Sequence, residues 1–461
     1  MTKARPRVVV VVTEGANPDL LGRWCAQGLL PGFKRLLDMG TSGPLIAEGV
    51  PYEPPGLVSL LTGRRAADHG FFSYWSCHDP EYRPRVLTTA DSRHRLVWQD
   101  ERLADVKFAC IGLFGADPPE PLNGSLITYP MYPTLHACYP RTLQLQLAKR
   151  GIRPVHDVSI FWTGQPRQEL LPRLLEADAQ RGRAAAALFD DGHDVALVNL
   201  TSIDRTSHIY WQELELGPER EADSAVLTAY QTADRVIQDF LARLDERTTL
   251  IAFSEIGFGP LRNYCSVNDE LAGAGLLKTT GEGLVDWQQT QAFEAVQGTH
   301  GINVNVRGRY TSGRVPESDY ERVREEVAAQ LLSRVNPRTG RPFFAAVSPR
   351  EEVYGGEAVA QAPDLILEPA DWRYLPLGDP QWARHVHRTW QSGWHRPGSY
   401  WAGAGAGFSG GVIDPRAVAP VDVTATIYDL LGRDVPDTCA GRSLAGLAPP
   451  AGAAPATATS R

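Results

Sequence analysis

Net positive charge is missing from this chain of 461 residues: 46 Lys and Arg stand against 54 Asp and Glu, a formal charge of −8 at pH 7. A surface built mainly to hold a nucleic-acid polymer needs clustered Lys and Arg to displace counterions, so no such partner is expected, although the balance leaves room for a local basic pocket. Paired cysteines are missing too. Cys25, Cys77, Cys110, Cys138, Cys265 and Cys439 are scattered, without the close spacing of a zinc ribbon, and read as buried thiols. No segment approaches the about 20 apolar residues that span a bilayer. The opening MTKARPRVVVVV meets Glu14 and Asn17 almost at once, which suits a first strand better than a signal peptide. These absences together predict a cytoplasmic protein with no membrane partner.

What is present is an ordinary globular composition, 43% hydrophobic and 22% charged, in a chain long enough for a large core. Four apolar runs have strand length: Val8 to Val12, Asp194 to Leu200, Thr248 to Ser254 and Ile302 to Val306. The first three are uniformly apolar, as strands covered on both faces are. Helical patterns lie between them at Gln168 to Phe189 and Glu221 to Asp245, with a last one near Val423 to Leu431. Strands alternating with helices predict an α/β fold, a mostly parallel central sheet with helices on both faces. The Pro- and aromatic-rich stretch from about 78 to 164 reads as an insertion or cap over the sheet edge, and Ala370 to Tyr400 as a long excursion. Residues 1–445 are thus expected to form one α/β domain, and the Pro-rich 446–461 a disordered tail.

Ligands of open α/β sheets gather outside the carboxyl ends of the strands. Glu14, Asp204 and Glu255 each follow a predicted strand; their structural alternative is to cap the next helix. In TSIDRTSHIYW, Asp204 and His208 are four apart and share one helical face. A carboxylate and an imidazole so placed can hold a metal ion with a third ligand, for which His300, His385, His387 and His395 are the candidates. Tyr74, Trp75, Tyr210 and Trp211 could line a pocket or belong to the core.

VVVTEGANPDLL, LLPGFKRLLDMGTSGPL, PYEPPGLVSLLTGRRAADHGFFSYW, TSIDRTSHIYW, SEIGFGPLRNYCSVNDEL, VDWQQTQAF, INVNVRGR and WHRPGSYWAGAG follow one another in order. Together they resemble the type I phosphodiesterase and nucleotide pyrophosphatase branch of the alkaline phosphatase superfamily, from Val8 to about Leu444. The resemblance implies the alkaline phosphatase-like fold and two metals, commonly zinc, with a Thr or Ser nucleophile attacking phosphorus. It makes Asp204, His208 and His395 a complete first metal site. The second site departs from the family pattern: its strand-end Asp is Glu14, its nucleophile falls on Glu53, and its Asp-His pair has become Glu255 and Ile256. Pro55 and Gly56 stand near the position of a phosphate-holding Asn.

Two readings of the altered site follow. Glu14, Glu53 and Glu255 could form an all-oxygen pocket for a second ion such as Mg or Mn, or a glutamate, Glu53 first, could act as general base. Either reading makes the protein a hydrolase or transferase for a phosphate-ester or nucleotide-like small molecule, with no Thr or Ser phosphate. The expected cofactor is a divalent metal, zinc by resemblance, although two His and one carboxylate also match the facial triad of non-haem iron enzymes. The rival is a pseudoenzyme of the same fold that binds a ligand or partner. Substrate-binding residues are not legible at this level.

Overall fold

The computed structural model describes residues 5–132, 134–154, 166–376 and 391–446. His385, His387 and all but the first residue of the predicted tail lie outside this set. Among the described residues, nine strands form the central sheet, in the order Val412–Ile413, Thr41–Ile46, Gly398–Gly405, Thr248–Phe253, Arg7–Thr13, Val195–Leu200, Phe108–Leu113, Gly124–Thr128 and Cys138–Tyr139. Gly398–Gly405 runs antiparallel to both neighbours and Cys138–Tyr139 to its one neighbour; the other pairings are parallel.

The valine run explains why the sheet is covered twice. Side chains alternate faces along a strand, so Val8, Val10 and Val12 enter one core and Val9 and Val11 the other. The first core is closed by Leu57, Val58 and Leu61 of the helix Glu53–Thr62 and by Val423 and Ile427 of Pro420–Leu430. Helices Pro18–Ala26, Pro31–Met39, Arg167–Asp190 and Ala225–Leu241 cover the opposite face. The helix predicted from Glu221 is divided. Ser224 stands in an extended conformation between Pro218–Ala222 and Ala225–Leu241, and its hydroxyl caps the second by accepting from the Leu227 N–H at 3.1 Å.

Two expectations need correction. The stretch 78–164 is not a cap throughout, because Phe108–Leu113 and Gly124–Thr128 extend the central sheet in parallel with Val195–Leu200. The apolar run from Ile302 belongs instead to a separate four-stranded antiparallel sheet, in which Gly301–Val304 lies between Ala292–Glu294 and Leu365–Pro369. That sheet has its own core with the helix Tyr320–Leu332, where Val304, Val323 and Val327 meet. Among the described residues, no helix is long and apolar enough to cross a membrane. All six cysteines are free, and all but Cys439 are buried.

Candidate functional site

The strand Val195–Leu200 leads directly into the helix Ser202–Tyr210. That helix has no cap of its own. Asp178 of Arg167–Asp190 supplies one, its carboxylate accepting from the N–H groups of Thr201 at 2.9 Å and Ser202 at 2.7 Å. The first turn is thereby fixed, and with it Asp204, which sits inside the turn as a side chain free for other work. Glu14 is likewise no cap, since Asn17 serves the helix Pro18–Ala26 by accepting from the Leu20 N–H at 2.8 Å.

His395 comes from the strand Gly393–Arg396, which pairs antiparallel with Gly257–Pro260 and sets His395 opposite Phe258. It meets both ligand candidates of the helix: His208 Nε2 to His395 Nε2 is 3.1 Å, and the two oxygens of Asp204 face one imidazole each, Oδ1 at 3.1 Å from His395 Nε2 and Oδ2 at 3.5 Å from His208 Nε2. Donors about 2.0–2.2 Å from a tetrahedral ion lie about 3.3–3.6 Å apart, a spacing that these side chains reach with shifts of a few tenths of an ångström, and one ligand atom from each of the three lies within 4.8 Å of the others. The tautomer fits as well. His208 Nδ1 stands 3.1 Å from the Gly393 carbonyl, which can only accept, so Nδ1 carries the proton and Nε2 presents its lone pair. Burial pulls His208 down to about 3, with Asp204 opposing and His395 and Arg205 adding to the fall, a shift in the direction that favours the neutral ring. Burial works against ionising Asp204, yet His208, Arg205 and His395 outweigh it and hold the carboxyl well below its usual range.

The three glutamates come from three different elements. Glu14 follows Arg7–Thr13, and its Oε2 accepts from the Asn199 amide at 2.8 Å. Glu53 opens the helix Glu53–Thr62, where Pro54 and Pro55 occupy a first turn that needs no backbone donors. Its Oε1 lies 3.8 Å from His395 Nε2, and its Oε2 is buried with no hydrogen-bond partner. Glu14, Glu53 and Asp204 bring donor oxygens within 4.8 Å of one another. Glu255 joins neither donor set among the described residues, and both its carboxylate oxygens are buried without hydrogen bonds. Burial, then like charge from neighbouring carboxylates, raises Glu14 and Glu255 well above the usual carboxylate range. Glu53 is also raised, first by burial and further by Asp204, against the opposing pull of His395 and Arg205. Two glycines make this crowding possible: a Cβ on Gly15 would stand 3.0 Å from Asp204 Oδ1, and one on Gly56 would stand 2.6 Å from the Glu255 Cβ.

Sequence reasoning missed Arg205. Its buried guanidinium enters the glutamate cluster, with Nη1 hydrogen-bonded to Asp204 Oδ2, 3.2 Å from Glu14 Oε1 and 3.5 Å from Glu53 Oε1. Nη2 donates to the Tyr129 hydroxyl at 2.7 Å. Ile256, where the resemblance called for a ligand, is fully buried and offers only alkyl surface. The glutamate cluster therefore already holds a cation of the chain itself.

The aromatic residues are core first. Tyr74 packs edge-on against Phe114 with centroids 4.8 Å apart, Trp211 stacks on Phe258 at 5.6 Å, and Trp75 and Tyr210 are buried. Phe258 and Trp394 stand edge-on to His208 at 4.9 and 4.7 Å, and Tyr52 lies 5.6 Å from the His395 ring. His300 is buried beside Trp372, in a left-handed conformation with φ 45°, and takes part in neither donor set.

The family model of type I phosphodiesterase / nucleotide pyrophosphatase matches residues 8–397. No curated protein matches the chain. Phosphonoacetate hydrolase from Sinorhizobium meliloti 1021, solved with phosphonoacetate, superposes with a TM-score of 0.60 at 14% identity, over 93% of this chain and 96% of the other. An inactive variant of murine ectonucleotide pyrophosphatase / phosphodiesterase 5, solved with AMP, gives 0.57 at 12% identity over 94% and 96%. A mutant of the alkaline phosphatase PafA gives 0.58 at 14% identity over 96% and 99%. At such identities the likeness is one of fold.

Proposed function

The chain belongs to the type I phosphodiesterase / nucleotide pyrophosphatase family, and on that premise we propose that it is a metal-dependent hydrolase or transferase for a phosphate-ester or nucleotide-like small molecule. The single observation that carries this reading is the convergence of Asp204, His208 and His395, with the two Nε2 atoms 3.1 Å apart and each facing one oxygen of the Asp204 carboxylate, at 3.1 and 3.5 Å. Two imidazoles and one carboxylate suit zinc and leave a coordination position for substrate. An ion held there supplies Lewis-acid polarisation of a phosphoryl oxygen. AMP and phosphonoacetate, present in structures of like fold, indicate the class of molecule to try first.

Glu53 stands where the resemblance puts a hydroxyl nucleophile. A carboxylate there would form a labile acyl phosphate, whereas its unpartnered Oε2 and raised affinity for a proton suit a base that takes a proton from water or an acceptor hydroxyl. The transfer then goes directly to that acceptor, with no phosphorylated side chain. The free thiols favour a cytoplasmic setting.

A panel of nitrophenyl phosphodiesters, nucleotides and phosphonates, assayed with the zinc-loaded chain and with Glu53→Gln, tests this function. Turnover by the wild type alone is the expected result, and a trapped phosphoenzyme would overturn direct transfer. A second reading, a non-catalytic ligand binder, is favoured by the loss of the hydroxyl at position 53, and absence of turnover across the panel would select it.

A further inference from the structure

We infer that the Arg205 guanidinium is a built-in replacement for a second metal ion, so that the site holds a single exchangeable cation. The inference rests on the reading of Asp204, His208 and His395 as the ligands of that one ion. It departs from a second ion held by Glu14, Glu53 and Glu255.

The geometry is that of a substitution in place. A cation shared by Asp204, Glu14 and Glu53 must lie among their facing oxygens, and Nη1 already lies there, bonded to Asp204 Oδ2 and 3.2 and 3.5 Å from Glu14 Oε1 and Glu53 Oε1. Hard ions seek about 2.0–2.6 Å to each oxygen, which leaves no room beside a nitrogen in that position. The guanidinium is anchored from the far side by the Tyr129 hydroxyl, 2.7 Å from Nη2. Its side chain is 5% exposed, and those of Glu14 and Glu53 are 1% and 3% exposed. Withdrawing it would strand buried carboxylates without their counter-charge. The donor inventory agrees. The Asn199 amide holds Glu14 Oε2, and Ile256 contributes no ligand. Asp204 joins the two halves of the site: Oδ1 faces His395, while Oδ2 faces both His208 and Arg205. One carboxylate thus bridges the exchangeable ion and the fixed cation.

Metal counting on purified chains dialysed against excess Zn and Mn tests the inference. The wild type is expected to hold one ion per chain, and Arg205→Ala, with the oxygen pocket vacated, two. Two ions in the wild type, or no gain in Arg205→Ala, would overturn it. If Arg205→Ala does not fold, Arg205→Gln, which keeps most of the side chain and removes its charge, decides: a second ion per chain supports the inference, and a count that stays at one overturns it. Failure of the underlying reading is separately visible as a wild-type ion retained after His208→Ala and His395→Ala, or as no wild-type ion while Arg205→Ala gains one.

Discussion

The Nε2 atoms of His208 and His395 face each other across 3.1 Å, while the other ring nitrogen of His208 is tied to the Gly393 carbonyl. Two ring nitrogens approach this closely when a proton or a shared cation lies between them. Removing an outer partner of a metal-bound His costs about 10- to 100-fold in affinity, so removing a ligand costs more. His208→Ala and His395→Ala are each expected to lower zinc affinity by more than about 100-fold, measured by competition with a chromogenic chelator. Retained affinity in both would remove these residues from the metal site.

Glu53 is expected to separate chemistry from metal binding. Glu53→Gln deletes the base and keeps the shape, so turnover should fall about 10²- to 10⁴-fold while zinc content stays that of the wild type. Kinetics and elemental analysis on one preparation check both halves. Equal loss of metal and activity would make Glu53 a ligand.

The contact between Gly56 and Glu255 predicts an inverted response to alanine. Gly to Ala inside a helix ordinarily gains about 0.5–1 kcal/mol, and Gly22, with no neighbour within 4 Å of its would-be Cβ, should follow that rule. At Gly56 the Cβ would meet the Glu255 Cβ at 2.6 Å, and overpacking costs about 1–3 kcal/mol. Denaturant titration of the two variants should show Gly22→Ala more stable than wild type and Gly56→Ala less.

Acid should destabilise the fold through His69. Its Nδ1 accepts from the Phe71 N–H at 3.1 Å and its Nε2 meets Ser59 Oγ at 3.1 Å, and burial pulls its pKa from 6.5 to about 3. Between these values the unfolded chain binds a proton that the folded chain does not. The stability contributed by neutral His69 is thus complete above 6.5 and declines by about 1.4 kcal/mol per pH unit as pH falls towards the folded value. His69→Gln should flatten the pH–stability curve in that window, and an unchanged slope would exclude His69 as a source.

Most of the sheet and half of the site were legible because their signals are local. A run such as Val8 to Val12 can be covered only on both faces, and Asp204 and His208 advertise themselves by helical spacing. Phe108–Leu113 has the same apolar character, but Pro- and Tyr-rich flanks hid a six-residue strand within a segment judged by its average composition. Arg205 carries no spacing signal. It lies one residue beyond a predicted ligand, and its role depends on Glu14 and Glu53, which the fold brings together from distant elements. The available clue was charge: four acids expected in one buried cleft require cations, and an arginine adjoined one of them.

X-ray absorption at the zinc edge of the loaded wild-type chain reads the ligand set of Asp204, His208 and His395 itself. One zinc environment with two imidazoles and oxygen donors at about 2.0–2.2 Å is expected, with one imidazole lost in His395→Ala. A spectrum without imidazole scattering, or one unchanged by His395→Ala, would contradict that ligand set.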